Sequence, residues 1–194
     1  MLKLKKMNRI MLKVFALFLL TSSIGQAQEF NLNNQESSLK VLGTSNVHDW
    51  ELEAENLRGK ISFKNLNECI IEACNIEVTV EGLKSGKSSM DKNTFKALKS
   101  EKHKTISFKL VEVKTVENKD AGKFSVQSVG DLTIAGVKKR VDLNFILNHT
   151  EGKVNLTGEK KIKMTDFNVD PPKAMFGAIT TGDEVLIKFS TQLK

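Results

Sequence analysis

The chain has 194 residues, of which 40% are hydrophobic and 27% are charged, and its formal net charge is +7. Residues 1–27 contain five of the 30 basic residues and no acidic ones, which leaves 25 basic against 23 acidic residues in the remainder. A surface so close to neutral attracts a phosphate backbone only weakly, so nucleic acid is not an expected partner. Two cysteines are too few for a disulfide framework.

Residues 1–27 have the order of features typical of a secretory signal peptide. A head with four basic residues precedes an apolar run over residues 10–20, and Gly25-Gln26-Ala27 places small residues where a signal peptidase reads. The run is shorter than the roughly 20 residues that span a bilayer, so we expect cleavage and no stable membrane insertion; an uncleaved anchor is the alternative. The sequence predicts export to the periplasm or the medium, with 28–36 as an N-terminal linker and 37–194 as one folded domain.

From residue 50 onward, hydrophobic and polar residues alternate in many short segments separated by polar turns. Alternation gives a strand one dry face and one wet face, which indicates an antiparallel sheet. Because little helix is available to cover the dry face, the sheet must roll into a barrel or pack as a sandwich. The alternating segments are Trp50–Ala54, Ile61–Phe63, Ile76–Val80, Ile106–Leu110, Phe124–Val126, Leu132–Ile134, Val141–Leu147, Ile162–Met164 and Val185–Phe189.

One segment has a helical spacing instead. Over residues 89–102, Phe95 and Leu98 lie three positions apart among polar residues, which predicts a short amphipathic helix covering one end of the sheet. Asp91 is positioned as its N-cap.

The region after residue 170 is predicted to be a loop. Pro171 and Pro172 exclude a central strand. Met175 and Phe176 follow as an apolar tip, and they either fold back over the end of the sheet or pack as an ordinary loop.

No constellation of residues points to catalysis or to a metal. His48, His103 and His149 are far apart and have no ligand spacing, and neither a nucleophile elbow nor a glycine-rich phosphate loop occurs. Cys69 and Cys74 have neither the redox nor the zinc spacing. After export they would form a disulfide that closes a small loop, or remain two buried thiols. We therefore expect no enzyme, no metal and no cofactor.

Four pieces of sequence, in the correct order, resemble the YceI family, which comprises lipocalin-like periplasmic proteins that bind polyisoprenoid or other long-chain lipids. Lys104 departs from the family, which usually has proline there. The resemblance implies an all-β fold, an extended eight-stranded antiparallel β-barrel with one short helical segment and a lipid-filled tunnel. The four pieces are Gly43–Trp50, Ser85–Leu98, His103–Phe108 and the strand-turn-strand signature Gly130–Leu143.

The function expected from the pattern and the resemblance is lipid binding by an exported carrier or scavenger. An apolar tunnel would take a long-chain isoprenoid or similar amphiphile out of water, at roughly 0.8 kcal/mol for each buried CH₂. The alternative is a solid barrel that binds an envelope partner without a ligand, and the sequence leaves a homodimer open. The residues predicted to bind the ligand are Phe63, Val78, Phe95, Leu98, Phe108, Phe124, Leu132, Leu143, Phe145 and Phe176.

Overall fold

The computed structural model describes residues 28–194, so the predicted signal peptide lies outside the described residues. These residues form one antiparallel sheet of twelve strands with one α-helix, as the alternation and the helical spacing predict. The strands are β1 (Gln28–Asn31), β2 (Ser38–Ser45), β3 (Trp50–Ala54), β4 (Leu57–Asn65), β5 (Ile70–Thr79), β6 (Leu83–Lys84), β7 (Thr105–Asp120), β8 (Lys123–Ile134), β9 (Val137–Thr150), β10 (Lys153–Lys163), β11 (Lys173–Ala174) and β12 (Ile179–Leu193), and the helix is α1 (Ser88–Ala97).

Hydrogen bonds connect eleven strands in the order β1-β4-β5-β7-β8-β9-β10-β12-β2-β3-β6, and β11 pairs with β12 beside this path. The sheet differs from the closed eight-stranded barrel that the resemblance implies, because the path has eleven strands and its end strands, β1 and β6, do not pair with each other. Eight strands have at least eight residues, whereas β1, β3, β6 and β11 have five or fewer.

Two tight hairpins set the register of the long strands β8, β9 and β10. Ala135 and Gly136 join β8 to β9, and Glu151 and Gly152 join β9 to β10, all four with positive φ. Two consecutive residues in the left-handed backbone conformation form a turn whose twist matches that of the flanking strands. Glycine adopts this conformation without steric cost.

One end of the sheet is packed solid. Phe63, Val126, Leu147, Val154 and Leu193 belong to one cluster there and have no exposed surface. Their interdigitation leaves this end without room for a guest.

The first four residues of the segment 28–36, which we predicted to be a linker, form β1 and join the sheet at this solid end, and Asn34–Glu36 form a 3-10 helix. Strand β1 pairs with β4, and Asn31 exchanges two backbone hydrogen bonds of 2.9 Å with Lys194. Phe30 is buried and meets Phe63 edge to face, with ring centroids 5.9 Å apart. Burial of this aromatic ring explains why the segment is ordered.

The opposite end carries α1, which confirms a helix in the predicted segment 89–102 but ends it at Ala97 and changes its N-cap. Lys87 is the N-cap and makes no side-chain capping bond. Asp91 lies one turn into the helix, where its carboxylate accepts hydrogen bonds from the Ser85 N–H at 2.8 Å and the Ser85 hydroxyl at 2.6 Å. Asp91 thus fixes the loop before the helix and does not cap the first turn.

The apolar tip at Met175 and Phe176 does not fold back over the sheet. Met175 is 71% exposed and Phe176 is fully exposed. The reason is its place at the tip of a hairpin, because β11 pairs with the start of β12 and the tip projects beyond the last pair, Ala174 with Ile179.

Within residues 28–194, no helix has the length and hydropathy required to cross a membrane.

Candidate functional site

A cavity of about 410 Å³ occupies the part of the interior that the solid cluster does not fill. Side chains along β12 line it from Ile179 to Thr191, which corresponds to about 40 Å of strand at the usual rise per residue. Its size lies within the range of pockets that bind small molecules. The site therefore extends along most of β12.

The wall of the cavity consists mainly of inward-facing hydrophobic side chains. On β7, Ile106, Phe108 and Leu110 alternate with outward residues and are only half-buried, because they face the hollow. Val126 and Leu147, on the neighbouring strands β8 and β9, are completely buried in the solid end. The same alternation therefore serves a packed core at one end and an open wall at the other.

Three aromatic rings of the wall lie against glycines of the adjacent strand. Trp50 covers Gly43, Phe108 covers Gly130 and Phe189 covers Gly158, and in each case an added Cβ would collide with the ring. A glycine in a strand interior often marks such a close approach. At each of these positions the ring occupies the space that a side chain in place of the glycine would need.

The floor lies where the hollow meets the solid cluster, at Cys74, Phe145, Leu156 and Thr191. Burial raises the pKa of the Cys74 thiol to about 12 and that of Cys69 to about 11. Both cysteines are free thiols, so the disulfide that we considered is not formed in this structure. A neutral, buried thiol is a poor nucleophile, and Cys74 acts as an apolar part of the floor.

Polar residues gather at the mouth, at the end of the sheet that carries α1. The turn between β2 and β3 is tied to β12 through the Asn46 amide, which donates to the Ala178 carbonyl and accepts from the Thr180 N–H, both at 2.9 Å. This tie holds His48 at the rim. The polar residues that line this end are Ser45, His48, Lys87, Ser89, Asn93, Thr94, Lys173 and Thr181.

Six of the ten predicted ligand-binding residues lie along this cavity, namely Val78, Leu98, Phe108, Leu132, Leu143 and Phe145. The other four are placed elsewhere. Phe63 and Phe124 belong to the solid cluster, and Phe95 lies under the Lys84 ammonium, 4.9 Å from its ring centre. Phe176 is at the exposed hairpin tip.

The predicted ligand-binding residues include none from β2 or β12, although the alternation over Val185–Phe189 predicts a dry face for β12. Leu39 and Val41 on β2, and Ile187 and Phe189 on β12, are inward-facing wall residues. The alternation of hydrophobic and polar residues is visible in both strands, because Leu39 and Val41 flank Lys40, and Ile187 and Phe189 flank Lys188.

Within the described part of the chain, no group of three or more His, Cys, Asp or Glu side chains is placed to hold a metal ion.

The fold is similar to solved structures that share little sequence with this chain. BcnA from Burkholderia cenocepacia has a TM-score of 0.67 at 16% identity, with 83% of this chain and 98% of BcnA covered. A polyisoprenoid binding domain from Saccharophagus degradans, implicated in plant cell wall breakdown, has a TM-score of 0.65 at 11% identity, with 85% and 97% covered.

The YceI protein of Campylobacter jejuni has a TM-score of 0.55 at 18% identity, with 72% of this chain and 81% of that protein covered. No curated protein matches the sequence significantly. The profile of the YceI-like domain matches residues 30–193, from β1 to the end of β12. The chain therefore belongs to the family of proteins with a YceI-like domain.

Proposed function

We propose that this protein is exported and binds one long-chain, isoprenoid-like lipid in its cavity, as a carrier or scavenger. The observation that carries the proposal is the cavity itself, about 410 Å³ in volume and walled mainly by hydrophobic side chains. The similarity to a polyisoprenoid binding domain supports a lipid of this class. The order of features in residues 1–27 supports export.

The proposal includes a tunnel closed by the eight long strands, with β3 and β4 acting as two halves of one bent strand. Only Glu55 and Asn56 separate the two halves. The Glu55 N–H donates to the Gly82 carbonyl at 2.9 Å, and the Thr79 N–H donates to the Asn56 carbonyl at 3.1 Å, so hydrogen bonding continues through the bend. An eight-stranded barrel has an interior that is either filled by side chains or just able to hold one small ligand, and the cavity favours the second case.

Binding in such a tunnel requires no chemical step, and we assign none to this protein. Removing each CH₂ group from water contributes roughly 0.8 kcal/mol, so a long chain binds tightly with few polar contacts. Specificity would come from the length of the hollow and from the polar groups at the mouth.

The experiment is to isolate the protein from the compartment to which it is exported, extract it with organic solvent and identify the extract by mass spectrometry. We expect one long-chain lipid per chain and a mature N-terminus near Gln28. The lipid-free protein should gain thermal stability when geranylgeraniol is added. An empty extract together with an unchanged melting temperature would contradict the proposal.

A pair of variants ties the result to the cavity. Phe108→Asp places a charge on the wall and should abolish lipid retention, whereas Thr105→Asp, at an exposed position of the same strand, should not. Leu143→Gln replaces Phe108→Asp if the latter fails to fold. Equal retention by the wall and control variants would contradict the assignment of the cavity.

A further inference from the structure

The charged residues of the cavity wall all have the same sign. Lys87, Lys160 and Lys173 line the cavity, and its described lining contains no aspartate, glutamate or arginine. Residues 28–194 contain nearly equal numbers of basic and acidic residues, so this bias is a property of the cavity and not of the whole chain. Lys87 and Lys173 are exposed at the mouth, whereas Lys160 lies deeper and is half-buried.

Lys160 occupies an inward position in the middle of β10. It follows Leu156 and Gly158, and precedes Ile162, in the set of alternate residues that face the interior. The last residue pair between β9 and β10 is Phe145 with Gly158, so Lys160 is the first inward residue beyond the point where the two strands separate. Lys160 thus lines the hollow just beyond the point where the pairing of β9 with β10 ends.

The Lys160 ammonium has no carboxylate partner within 4.0 Å among the described residues. The next residue, Lys161, is paired with Glu184 at 3.3 Å on the outer face. Asp142 already accepts a hydrogen bond from Lys114 at 3.0 Å. That bond is the main reason why the pKa of Asp142 is lowered, and Lys160 adds a small effect from a distance.

We propose that the cavity selects single-chain amphiphiles with an acidic head, a carboxylate or a phosphate, and that Lys160 pairs with that head. An ammonium at an apolar wall gains most from an anionic partner, because the low local dielectric strengthens the pair. Lys87 and Lys173 would attract the same heads to the mouth. This inference rests on the proposed lipid-binding function and specifies the chemical class of its ligand.

The test compares oleate, oleyl phosphate and oleyl alcohol, which share one hydrocarbon chain, by calorimetric titration of the lipid-free protein. We expect at least one of the two acidic ligands to bind about tenfold more tightly than the alcohol. Comparison of oleate with oleyl phosphate identifies which acidic head is preferred. If the alcohol binds as tightly as both acids, the acid preference is overturned while the lipid-binding function stands.

Variants locate the preference within the wall. Lys160→Met should reduce the ratio between acid and alcohol to about twofold or less without weakening the alcohol, and Lys160→Arg should preserve it. Lys161→Met, on the outer face of the same strand, is the matched control and should leave the ratio unchanged. An unchanged ratio in Lys160→Met would overturn the assignment of Lys160. Failure of all three ligands and of geranylgeraniol to bind the wild-type protein would instead contradict the lipid-binding function.

Discussion

Gly158 of β10 and Phe189 of β12 are directly opposite each other, and the ring of Phe189 occupies the space that a side chain at position 158 would need. A Cβ added to Gly158 would lie 2.7 Å from Cζ of Phe189 and 2.9 Å from the Asn144 carbonyl oxygen. Such distances are too short for a real Cβ contact. The close approach of this ring to β10 therefore depends on glycine at position 158.

Gly158→Val should push the Phe189 ring into the hollow and reduce lipid retention. We expect a loss of about 1–3 kcal/mol in the free energy of unfolding, typical of overpacking, measured by urea denaturation. Thr157→Val, at the preceding outward position, is the control and should affect neither quantity. Full stability and full lipid retention in Gly158→Val would show that the Phe189 ring can move aside without entering the cavity.

Substitutions at two leucines of β9 should separate stability from ligand binding. Leu147 is completely buried in the solid cluster, so Leu147→Ala should cost about 2–5 kcal/mol of unfolding free energy with little effect on ligand affinity. Leu143 faces the cavity, where fewer atoms pack against it, so Leu143→Ala should cost less and should change ligand affinity. Urea denaturation and lipid titration of both variants measure the two effects. Equal stability losses would indicate that the hollow is filled at the level of Leu143.

Alternation in the sequence predicts which face of a strand is dry, but it carries no information about depth along the interior. Phe124 and Phe145 follow the same pattern, yet Phe145 reaches the cavity floor and Phe124 lies only in the solid cluster. The solid cluster is completed by residues from the first and last strands of the described chain, because Phe30 and Leu193 both pack into it. No local pattern encodes such a contact, so the sequence could predict the sheet but not the position of the hollow.

Lys160 is a polar residue at an inward-facing position, so its residue type does not indicate the face on which it lies. A lysine in a strand normally indicates the wet face, so the residue type alone does not predict that Lys160 lines the site. The positions of Leu156 and Ile162 give the correct phase, because alternate residues share a face and Lys160 lies between them in that series. The helix was predictable from the spacing of Phe95 and Leu98, whereas its true N-cap, Lys87, is a residue type that rarely caps.

Both cysteines should resist alkylation in the folded protein. Burial raises the pKa of Cys69 to about 11 and that of Cys74 to about 12, so both thiols remain protonated at pH 8 and the reactive thiolate is scarce. Iodoacetamide at pH 8 should modify them slowly in the native state and rapidly in denaturant, as measured by mass spectrometry. The intact mass without reductant should correspond to the dithiol form. Rapid native modification, or a mass corresponding to the disulfide, would contradict the structure at this site.

The loop before α1 should loosen in acid because of Asp91. Its hydrogen bonds from Ser85 lower the pKa of the Asp91 carboxyl from the usual 3.8. Because the folded pKa is the lower one, this contribution to stability is present above about pH 4 and is lost as the pH falls through the folded value. Asp91→Asn should therefore lower the melting temperature at pH 7 and have less effect at pH 2, whereas Glu101→Gln, an exposed control, should show no such difference. The same destabilisation by Asp91→Asn at both pH values would mean that the charge of Asp91 does not hold the loop.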